Sequence, residues 1–455
     1  MTDFSAIIQR QRSYFEAGHT RDIEFRIKAL RKLEAYITSH DEDIMAALKA
    51  DLGKARFEAY ATEVGAVLDE LRYALRHIRR WNRPKRVTSN LKSFPSVARI
   101  YPEPFGVALI ISPWNYPFML SVVPLIAAVA AGNCAVVKPS AYSPASSAMI
   151  AKMCSELFDS AFITVIEGGR KENVALLEQR YDVIFFTGST AVGRTVLQAA
   201  ARNLTPTVLE LGGKSPCVVD ETANLKIAAR RIVWGKYINA GQTCVAPDYL
   251  LVHTSVKDEL IARITEAIRD MFGERPLENE DYSKIINNRH FDRLLSFTEG
   301  QTVVCGGNSN PNSQKIEPTV LDDVLWDAPI MQEEIFGPIL PVLTYNSLEE
   351  AVSLINSRPK PLALYLFTTR RESERYFLDR VSFGGGCVND TVVHLSVPSL
   401  SFGGVGASGF GSYHGKAGFD AFTHYRSILS KSKLIDIPVR YPPYTETALK
   451  FLKRL

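Results

Sequence analysis

Between residues 99 and 211, short apolar runs alternate with segments that have the periodicity of a helix. Strands in a parallel sheet appear in a sequence as continuous apolar runs, because helices cover both faces of such a sheet. Repeated alternation of strand and helix therefore predicts a mostly parallel sheet. We expect strands at 107–112, 134–138, 162–166, 182–186 and 207–211, and helices at 119–131, 144–158, 172–179 and 191–202.

Two further regions flank this series. A second alternation predicts another α/β domain, with strands at 216–219, 249–253, 338–343, 362–367 and 386–389 and a helix at 256–271. In the first 80 residues, apolar side chains recur at steps of three and four, which predicts amphipathic helices. Ser143 and Pro144 predict the N-cap and the first residue of the helix that follows them. The last 25 residues, which contain several prolines, are expected to form a surface arm.

Residues 104–137 carry no charged side chain, and this stretch is longer than the roughly 20 residues that span a bilayer. Prolines at 104, 113, 117 and 124, together with Asn115 and Asn133, break it into short pieces. We therefore interpret it as buried elements joined by a polar turn, and we expect no membrane anchor.

Charge and cysteine content limit the class of protein. The 53 basic and 49 acidic residues give a formal net charge of +4, so we expect no nucleic-acid partner. The six cysteines include no C-x-x-C pair, which argues against a disulfide framework or a bound metal. The start, Met-Thr-Asp-Phe-Ser, lacks the pattern of a secretory signal. These features favour a globular cytoplasmic protein.

Cys244 differs from the other cysteines because it lies in a polar, glycine-containing loop at 239–248. Such a loop leaves a thiol accessible, as a reactive cysteine requires. The remaining cysteines lie in apolar strand-like or helical runs and are expected to fill the core; they are Cys134, Cys154, Cys217, Cys305 and Cys387.

Two polar residues end predicted strands. Glu210 closes an apolar run, where burial would raise the pKa of its carboxyl towards that of a general base. An ion pair with Lys214 is the alternative. Asn115 follows the strand at 107–112, and its amide could stabilise an oxyanion or simply belong to a turn.

Two segments are candidates for phosphate binding. Residues 404–409 match G-x-G-x-x-G, but no strand clearly precedes them, so we interpret them as a loop. Residues 186–193, Phe-Thr-Gly-Ser-Thr-Ala-Val-Gly, follow a predicted strand and lead into a helix whose N-terminus would suit a phosphate. An ordinary Ser- or Thr-capped helix explains the second segment equally well.

Seven segments, in order along the chain, resemble the aldehyde dehydrogenase superfamily. They are Pro-Trp-Asn-Tyr-Pro (113–117), Val-Lys-Pro-Ser (137–140), the segment at 186–193, Glu-Leu-Gly-Gly-Lys-Ser-Pro (210–216), Gly-Gln-Thr-Cys (241–244), Glu-Glu-Ile-Phe-Gly-Pro (333–338) and Phe-Gly-Gly-Val-Gly (402–406). Val-Ala-Pro-Asp-Tyr at 245–249, Gly-Ser-Tyr-His-Gly at 411–415 and Arg-Tyr-Pro-Pro-Tyr at 440–444 are similar to the class 3 branch.

The resemblance implies an α/β fold with a Rossmann-like cofactor domain, an α/β catalytic domain and a small bridging or oligomerisation arm. We expect the cofactor domain at 1–209, with about 82–103 contributing to the arm. The catalytic domain would occupy 210–400, and residues 401–455 would return to the cofactor domain and form a C-terminal arm. Class 3 relatives are usually dimers, so a homodimer is expected.

The resemblance also implies residue roles. Cys244 would be the nucleophile, Asn115 and the Cys244 N–H would hold the oxyanion, and Glu210 would be the general base. His414 matches a class 3 feature near the site without an assigned role. The remaining positions lie around the adenosine and pyrophosphate (Trp114, Lys138, Gly188, Ser189 and Gly193) or around the nicotinamide ribose (Glu334 and Phe336).

Ala141 departs from the family pattern, because a glutamate that binds the adenosine ribose usually follows Lys-Pro-Ser. An acidic group there favours NAD and repels the 2′-phosphate of NADP. The cofactor is therefore NAD or NADP, with dual or NADP-leaning use predicted.

The reaction expected is oxidation of a medium-chain aliphatic or aromatic aldehyde to the free carboxylic acid. A coenzyme A-acylating enzyme of the same superfamily, a cofactor-independent cysteine esterase or thioesterase, and a non-catalytic protein of this fold are the alternatives.

Overall fold

The computed structural model describes residues 4–90 and 93–454, and the helices and strands of the fold belong to those residues. The helices are α1 (Phe4–Glu16), α2 (Ile23–Ser39), α3 (Asp41–Leu52), α4 (Arg56–Ala59), α5 (Gly65–Trp81), α6 (Met119–Ala131), α7 (Pro144–Leu157), α8 (Arg170–Leu177), α9 (Thr190–Ala201), α10 (Leu225–Tyr237), α11 (Lys257–Phe272), α12 (Asn288–Ser296), α13 (Leu348–Asn356), α14 (Arg371–Arg380), α15 (Gly415–Ala421) and α16 (Glu446–Leu452).

The strands are β1 (Lys85–Val87), β2 (Ser96–Pro104), β3 (Val107–Ile111), β4 (Cys134–Lys138), β5 (Ile163–Val165), β6 (Val183–Thr187), β7 (Thr207–Glu210), β8 (Pro216–Val219), β9 (Tyr249–His253), β10 (Thr302–Cys305), β11 (Ser309–Asn310), β12 (Lys315–Ile316), β13 (Thr319–Asp322), β14 (Ile339–Tyr345), β15 (Ala363–Phe367), β16 (Gly385–Val388), β17 (Gly409–Phe410) and β18 (Thr423–Lys431).

The first sheet has the order β17-β7-β6-β3-β4-β5. Strands β3 to β7 pair in parallel, and β17 adds an antiparallel edge beside β7. All residues of β3, β4 and β6 are buried, as the apolar runs predict. Helix α6 packs on this sheet and is almost wholly buried, which explains why residues 104–137 carry no charge.

The second sheet has the order β10-β13-β14-β9-β8-β15-β16, parallel except for the edge strand β10. A third sheet, β1-β2-β18, is antiparallel, and β18 pairs with β2 over residues 423–431 and 96–104. The prediction of an α/β fold with two parallel sheets is confirmed. In parallel sheets the carboxyl ends of the strands form one edge, and sites commonly lie there.

Several predicted details differ from the structure. Ser143 precedes α7 but its side chain makes no capping hydrogen bond. The segment 404–409, predicted as a loop, contains a 3₁₀ turn and then β17, which pairs with the end of β7. Cys305 and Cys387 are only half-buried and pack against the core from outside, so the prediction that they lie within it is wrong. The other three cysteines predicted in the core are buried; they are Cys134, Cys154 and Cys217.

The C-terminal segment from Ser432 onward is largely exposed, as predicted for an arm. Residues 91–92 of the predicted bridging segment, the first three residues and Leu455 lie outside the described residues. In the described part of the chain, no helix combines the length and apolar character that crossing a bilayer requires.

Candidate active site

One large cavity of about 1920 Å³ brings the predicted residues together. Its wall contains the carboxyl ends of strands of the first sheet, loop residues beside strands of the second sheet, and parts of α4, α5 and α10. Every predicted site residue except Gly193 lines it, and these are Trp114, Asn115, Lys138, Gly188, Ser189, Glu210, Cys244, Glu334 and Phe336. Gly193 lies buried in the first turns of α9.

Cys244 lies on the loop that joins α10 to β9, as its position in a glycine-containing segment predicts. The residue is half-buried and lines the cavity. Burial raises the pKa of the thiol, and the nearby carboxyls of Glu334 and Glu210 raise it further. A thiolate at this position therefore needs a base to take its proton.

Glu210 is the last residue of β7 and is 2% exposed. Burial raises the pKa of its carboxyl well above the usual value, and both carboxyl oxygens are buried without a hydrogen-bond partner. The alternative of an ion pair with Lys214 is wrong, because the Lys214 ammonium pairs with Asp248. An unpaired buried carboxyl in a cavity is the arrangement expected of a general base.

Asn115 follows β3 and is buried. Its side-chain Nδ2 donates to the backbone carbonyl of Gln242 at 3.0 Å, two residues before the nucleophile candidate. The neighbouring Tyr116 hydroxyl lies 2.6 Å from Thr243 Oγ1. Both side chains therefore connect the loop after β3 to the loop that carries Cys244.

The turn after β6 lines the cavity, as does Lys138. Ser189 caps α9 by accepting the Val192 N–H at 3.4 Å, so the ordinary cap that we considered is present. The Thr187 hydroxyl is buried without a partner. Burial lowers the pKa of Lys138 to about 8, and its ammonium donates to the carbonyl of Gly168 at 2.6 Å.

Glu334 and Phe336 come from the segment before β14. Burial raises the pKa of the Glu334 carboxyl to about 8, and one of its oxygens is buried without a partner. The Trp114 ring meets the Phe336 ring edge-on, with centroids 5.4 Å apart. The structure thus groups Trp114 with the Glu334 and Phe336 segment.

Sequence reasoning missed a buried cluster beside Asn115. Lys54 and Glu63 are 0% exposed and form an ion pair of 2.5 Å. Lys54 Nζ also donates to the Asn115 carbonyl at 3.1 Å. Glu63 accepts the backbone N–H of Phe118 at 2.9 Å. Apolar periodicity gives no signal for such residues, because it treats charged side chains as solvent-facing.

His414, for which the sequence assigned no role, lines the same cavity and has a positive φ of 72°. Its Nδ1 lies 3.6 Å from Glu70 Oε2, and Glu70 Oε1 accepts the Gly415 N–H at 2.6 Å. Within residues 4–90 and 93–454, no group of three or more His, Cys, Asp or Glu is arranged to hold a metal ion.

Comparisons of the sequence and of the structure with known proteins both find aldehyde dehydrogenases. Residues 1–428 match the model of the aldehyde dehydrogenase family. The chain is 49% identical to 4,4′-diaponeurosporen-aldehyde dehydrogenase of Staphylococcus aureus, over 97% of this chain and 96% of that one. It is 46% identical to aldehyde dehydrogenase family 3 member H1 of Arabidopsis thaliana, over 99% and 94%.

A dog (Canis lupus familiaris) relative named aldehyde dehydrogenase, dimeric NADP-preferring, is 44% identical over 97% of this chain and 98% of its own. Among solved structures, the substrate-bound state of Staphylococcus aureus AldH superposes with a TM-score of 0.98 at 47% identity. The match covers 100% of this chain and 99% of that one.

Proposed function

The chain belongs to the aldehyde dehydrogenase family, with family 3 members among its relatives, and oxidises aldehydes with NAD or NADP; on this premise we propose that Cys244, Asn115 and Glu210 perform the reaction. The observation that carries the assignment is the unpaired, buried Glu210 carboxyl in the same cavity as the Cys244 thiol. Burial raises the pKa of the Glu210 carboxyl well above its usual value, which suits a general base.

In the proposed mechanism, Cys244 loses its proton to solvent, and the resulting thiolate adds to the aldehyde carbon to give a thiohemiacetal. The developing oxyanion accepts hydrogen bonds from the Asn115 amide and from the Cys244 backbone N–H. The nicotinamide cofactor, when bound, supplies the hydride acceptor that takes this adduct to a thioester on Cys244.

Glu210 acts in the second half of the reaction. Its carboxylate takes a proton from a water molecule, whose oxygen adds to the thioester carbon. The carbon–sulfur bond then breaks and the carboxylic acid leaves. The proton held by Glu210 passes to the sulfur, which restores the Cys244 thiol and the Glu210 carboxylate. The raised pKa of Glu210 makes its carboxylate a stronger base than an exposed glutamate.

The cavity residues fit a dinucleotide. Gly188 lets the chain turn closely, since a Cβ there would lie 2.7 Å from Phe186 Cζ. The unpartnered oxygens of Thr187 and Glu334 are available to hydroxyl or phosphate groups of a ligand. We assign the phosphates to the N-terminus of α9 and to Lys138, and the nicotinamide ribose to Glu334.

The experiment that tests the function measures formation of NADH or NADPH together with the carboxylic acid product. A coenzyme A-acylating enzyme would require added coenzyme A for turnover. A cysteine esterase would hydrolyse esters yet give no reduced cofactor with any aldehyde. The proposal expects neither of these results.

The substrate class that we propose is a medium-chain aliphatic or aromatic aldehyde. The cavity wall away from the cofactor residues contains many apolar side chains, which favour an apolar substrate; they include Phe57, Leu120, Trp234, Met271, Phe272 and Val393. A panel of aldehydes of increasing chain length and aromaticity, assayed with both cofactors, would identify the preferred class.

Ala141 and Arg170 both line the cavity. The preference for NAD or NADP should depend on Ala141. We propose dual or NADP-leaning use of the cofactor, because no carboxylate stands at 141 to repel the 2′-phosphate. Ala141→Glu is expected to lower kcat/KM for NADP by about 10- to 100-fold and to retain use of NAD. The matched control is Ala201→Glu, on the exposed end of α9. A wild-type kcat/KM for NAD more than about tenfold above that for NADP would contradict the proposal.

We propose three domains from the sheets. The sheet containing β3 to β7 would form the cofactor domain within 1–209, the sheet from β8 to β16 the catalytic domain within 210–400, and β1-β2-β18 the bridging arm. Residues 401–455 would return to the cofactor domain, as the pairing of β17 with β7 suggests.

We also propose a homodimer in the cytoplasm. Exposed apolar side chains lie on both faces of β18, Tyr425 and Leu429 on one face and Ile428 on the other, and they offer contacts to a second copy. Sedimentation should show a species of about twice the 50.6 kDa chain mass; a single species at the chain mass would contradict the dimer.

A further inference from the structure

The loop that presents Cys244 begins with an unfavourable backbone conformation. Directly after α10, Asn239 and Ala240 have φ values of 53° and 51°, and Gly241 follows at 74°. Glycine adopts this left-handed region freely and asparagine tolerates it, but for alanine it is strained because the Cβ approaches the following carbonyl oxygen. Other contacts must hold this left-handed turn, residues 239–241, in place.

A network of hydrogen bonds holds the left-handed turn. The Asn239 backbone N–H donates to Glu58 Oε1 at 2.9 Å. Its side-chain Nδ2 donates to the carbonyls of Asn115 at 2.8 Å and of Gln242 at 3.2 Å. Asn115 Nδ2 donates to the same Gln242 carbonyl. The network therefore joins Glu58 to the oxyanion residue and to the chain that leads into Cys244.

A helical irregularity directly follows the helix that carries Glu58. Glu58 belongs to the short helix α4, which runs into a π-helical turn over Tyr60–Val64 and then into α5. Glu58 lines the cavity and Glu63 is fully buried, so both carboxyl groups face inward. π-turns inside helices often mark functional positions.

The surroundings of Glu58 are mixed in charge. The ammonium of Lys54 and the carboxyl of Glu63 lie nearby, Ser283 Oγ lies 3.5 Å from Glu58 Oε1, and the ring hydroxyls of Tyr116 and Tyr282 are the other titratable groups. Burial raises the pKa of Glu58 to about 7, against the opposing effect of Lys54. Its carboxyl therefore changes charge close to neutral pH.

We propose that Glu58 is a positioning residue, whose carboxylate holds the left-handed turn and so places Cys244 and Asn115 for reaction. A charged acceptor forms stronger hydrogen bonds than a neutral one, so the carboxylate secures the Asn239 N–H better than the acid does. The inference rests on the proposed roles of Cys244 and Asn115.

The first test compares Glu58→Ala and Glu58→Gln with the wild type. We expect Glu58→Ala to lower kcat by about 30-fold, because a small misplacement of reacting groups is costly. KM for the aldehyde and the Kd for the cofactor should change less than about twofold. Glu266→Gln, an exposed change on α11, is the matched control. A kcat of Glu58→Ala within about twofold of wild type would overturn the proposal.

The second test is a double-mutant cycle with Ala240→Gly, which removes the backbone cost without removing a hydrogen bond. If Glu58 acts by holding the turn, the fold-loss caused by Glu58→Ala should be at least about threefold smaller in the Ala240→Gly background. An equal loss in both backgrounds would show that Glu58 acts in another way and would overturn the proposal.

The third test uses pH and can be carried out even if Glu58→Ala does not fold. The ratio of wild-type kcat to Glu58→Gln kcat should rise with pH through about 7, because only the wild type gains a carboxylate there. A ratio independent of pH would overturn the role of the charge. Failure of these tests leaves the proposed reaction intact, since that depends on whether Cys244→Ala abolishes turnover.

Discussion

Cys244→Ala is expected to lower kcat for aldehyde oxidation by at least about 10⁴-fold, because no other thiol can form the covalent adduct in this cavity. Among the cysteines in the described part of the chain, Cys244 alone lines it. The Kd for NAD or NADP should stay within about twofold of wild type, since the variant loses only the nucleophile. Steady-state assays and cofactor titration by fluorescence would measure both quantities.

The matched control for this variant is Cys305→Ala. Cys305 is also half-buried, but it lies on the edge strand β10 and does not line the cavity. We expect its kcat to remain within about twofold of wild type, as for most substitutions away from a site. Turnover by Cys244→Ala close to that of wild type would exclude the proposed mechanism.

Glu210→Gln is expected to slow thioester hydrolysis by about 10²- to 10⁴-fold, the usual contribution of a general base. The amide cannot take a proton from water, whereas the substitution keeps the size of the side chain. The acyl group should therefore accumulate on Cys244, giving a rapid first turnover followed by a slow steady state. Rapid-quench kinetics and mass spectrometry of the intact protein would detect the adduct.

Hydrolysis should also depend on pH in a defined direction. Burial raises the pKa of Glu210, so its carboxyl is protonated and inactive at pH values where an exposed glutamate would already be ionised. The deacylation rate of the wild type should rise as pH rises through that shifted pKa, and the rise should be absent in Glu210→Gln. Glu299→Gln, at an exposed position, is the control. A wild-type deacylation rate in Glu210→Gln would contradict the assignment of the base.

Much of the fold could be predicted from the sequence because buried parallel strands have a strong local pattern. The predicted strand at 134–138 and helix at 119–131 coincide with β4 and α6 to the residue. Their apolar runs are bounded by Gly132, a left-handed C-cap, and by Lys138. Strong periodicity and clear end signals of this kind leave little for distant contacts to change.

The candidate site was predictable only where a residue had a distinctive local setting. Cys244 was separated from the other cysteines by its polar loop, and Glu210 by its place at the end of an apolar strand. Partners were not predictable in the same way. Lys214 was considered for Glu210 because it is near in sequence, yet it pairs with Asp248, 34 residues further along the chain.

Local patterns in the chain were enough to predict the two parallel sheets, the family resemblance and the candidate nucleophile, oxyanion donor and base. Each of these depends on periodicity or on motifs that are contiguous in the sequence. The unpaired state of Glu210 in the cavity, and the contact of Glu58 with the turn before Cys244, became known only from the folded chain. The hydrogen bond from Asn239 to Glu58 joins residues 181 positions apart. No local sequence pattern records which distant group a buried charge will meet.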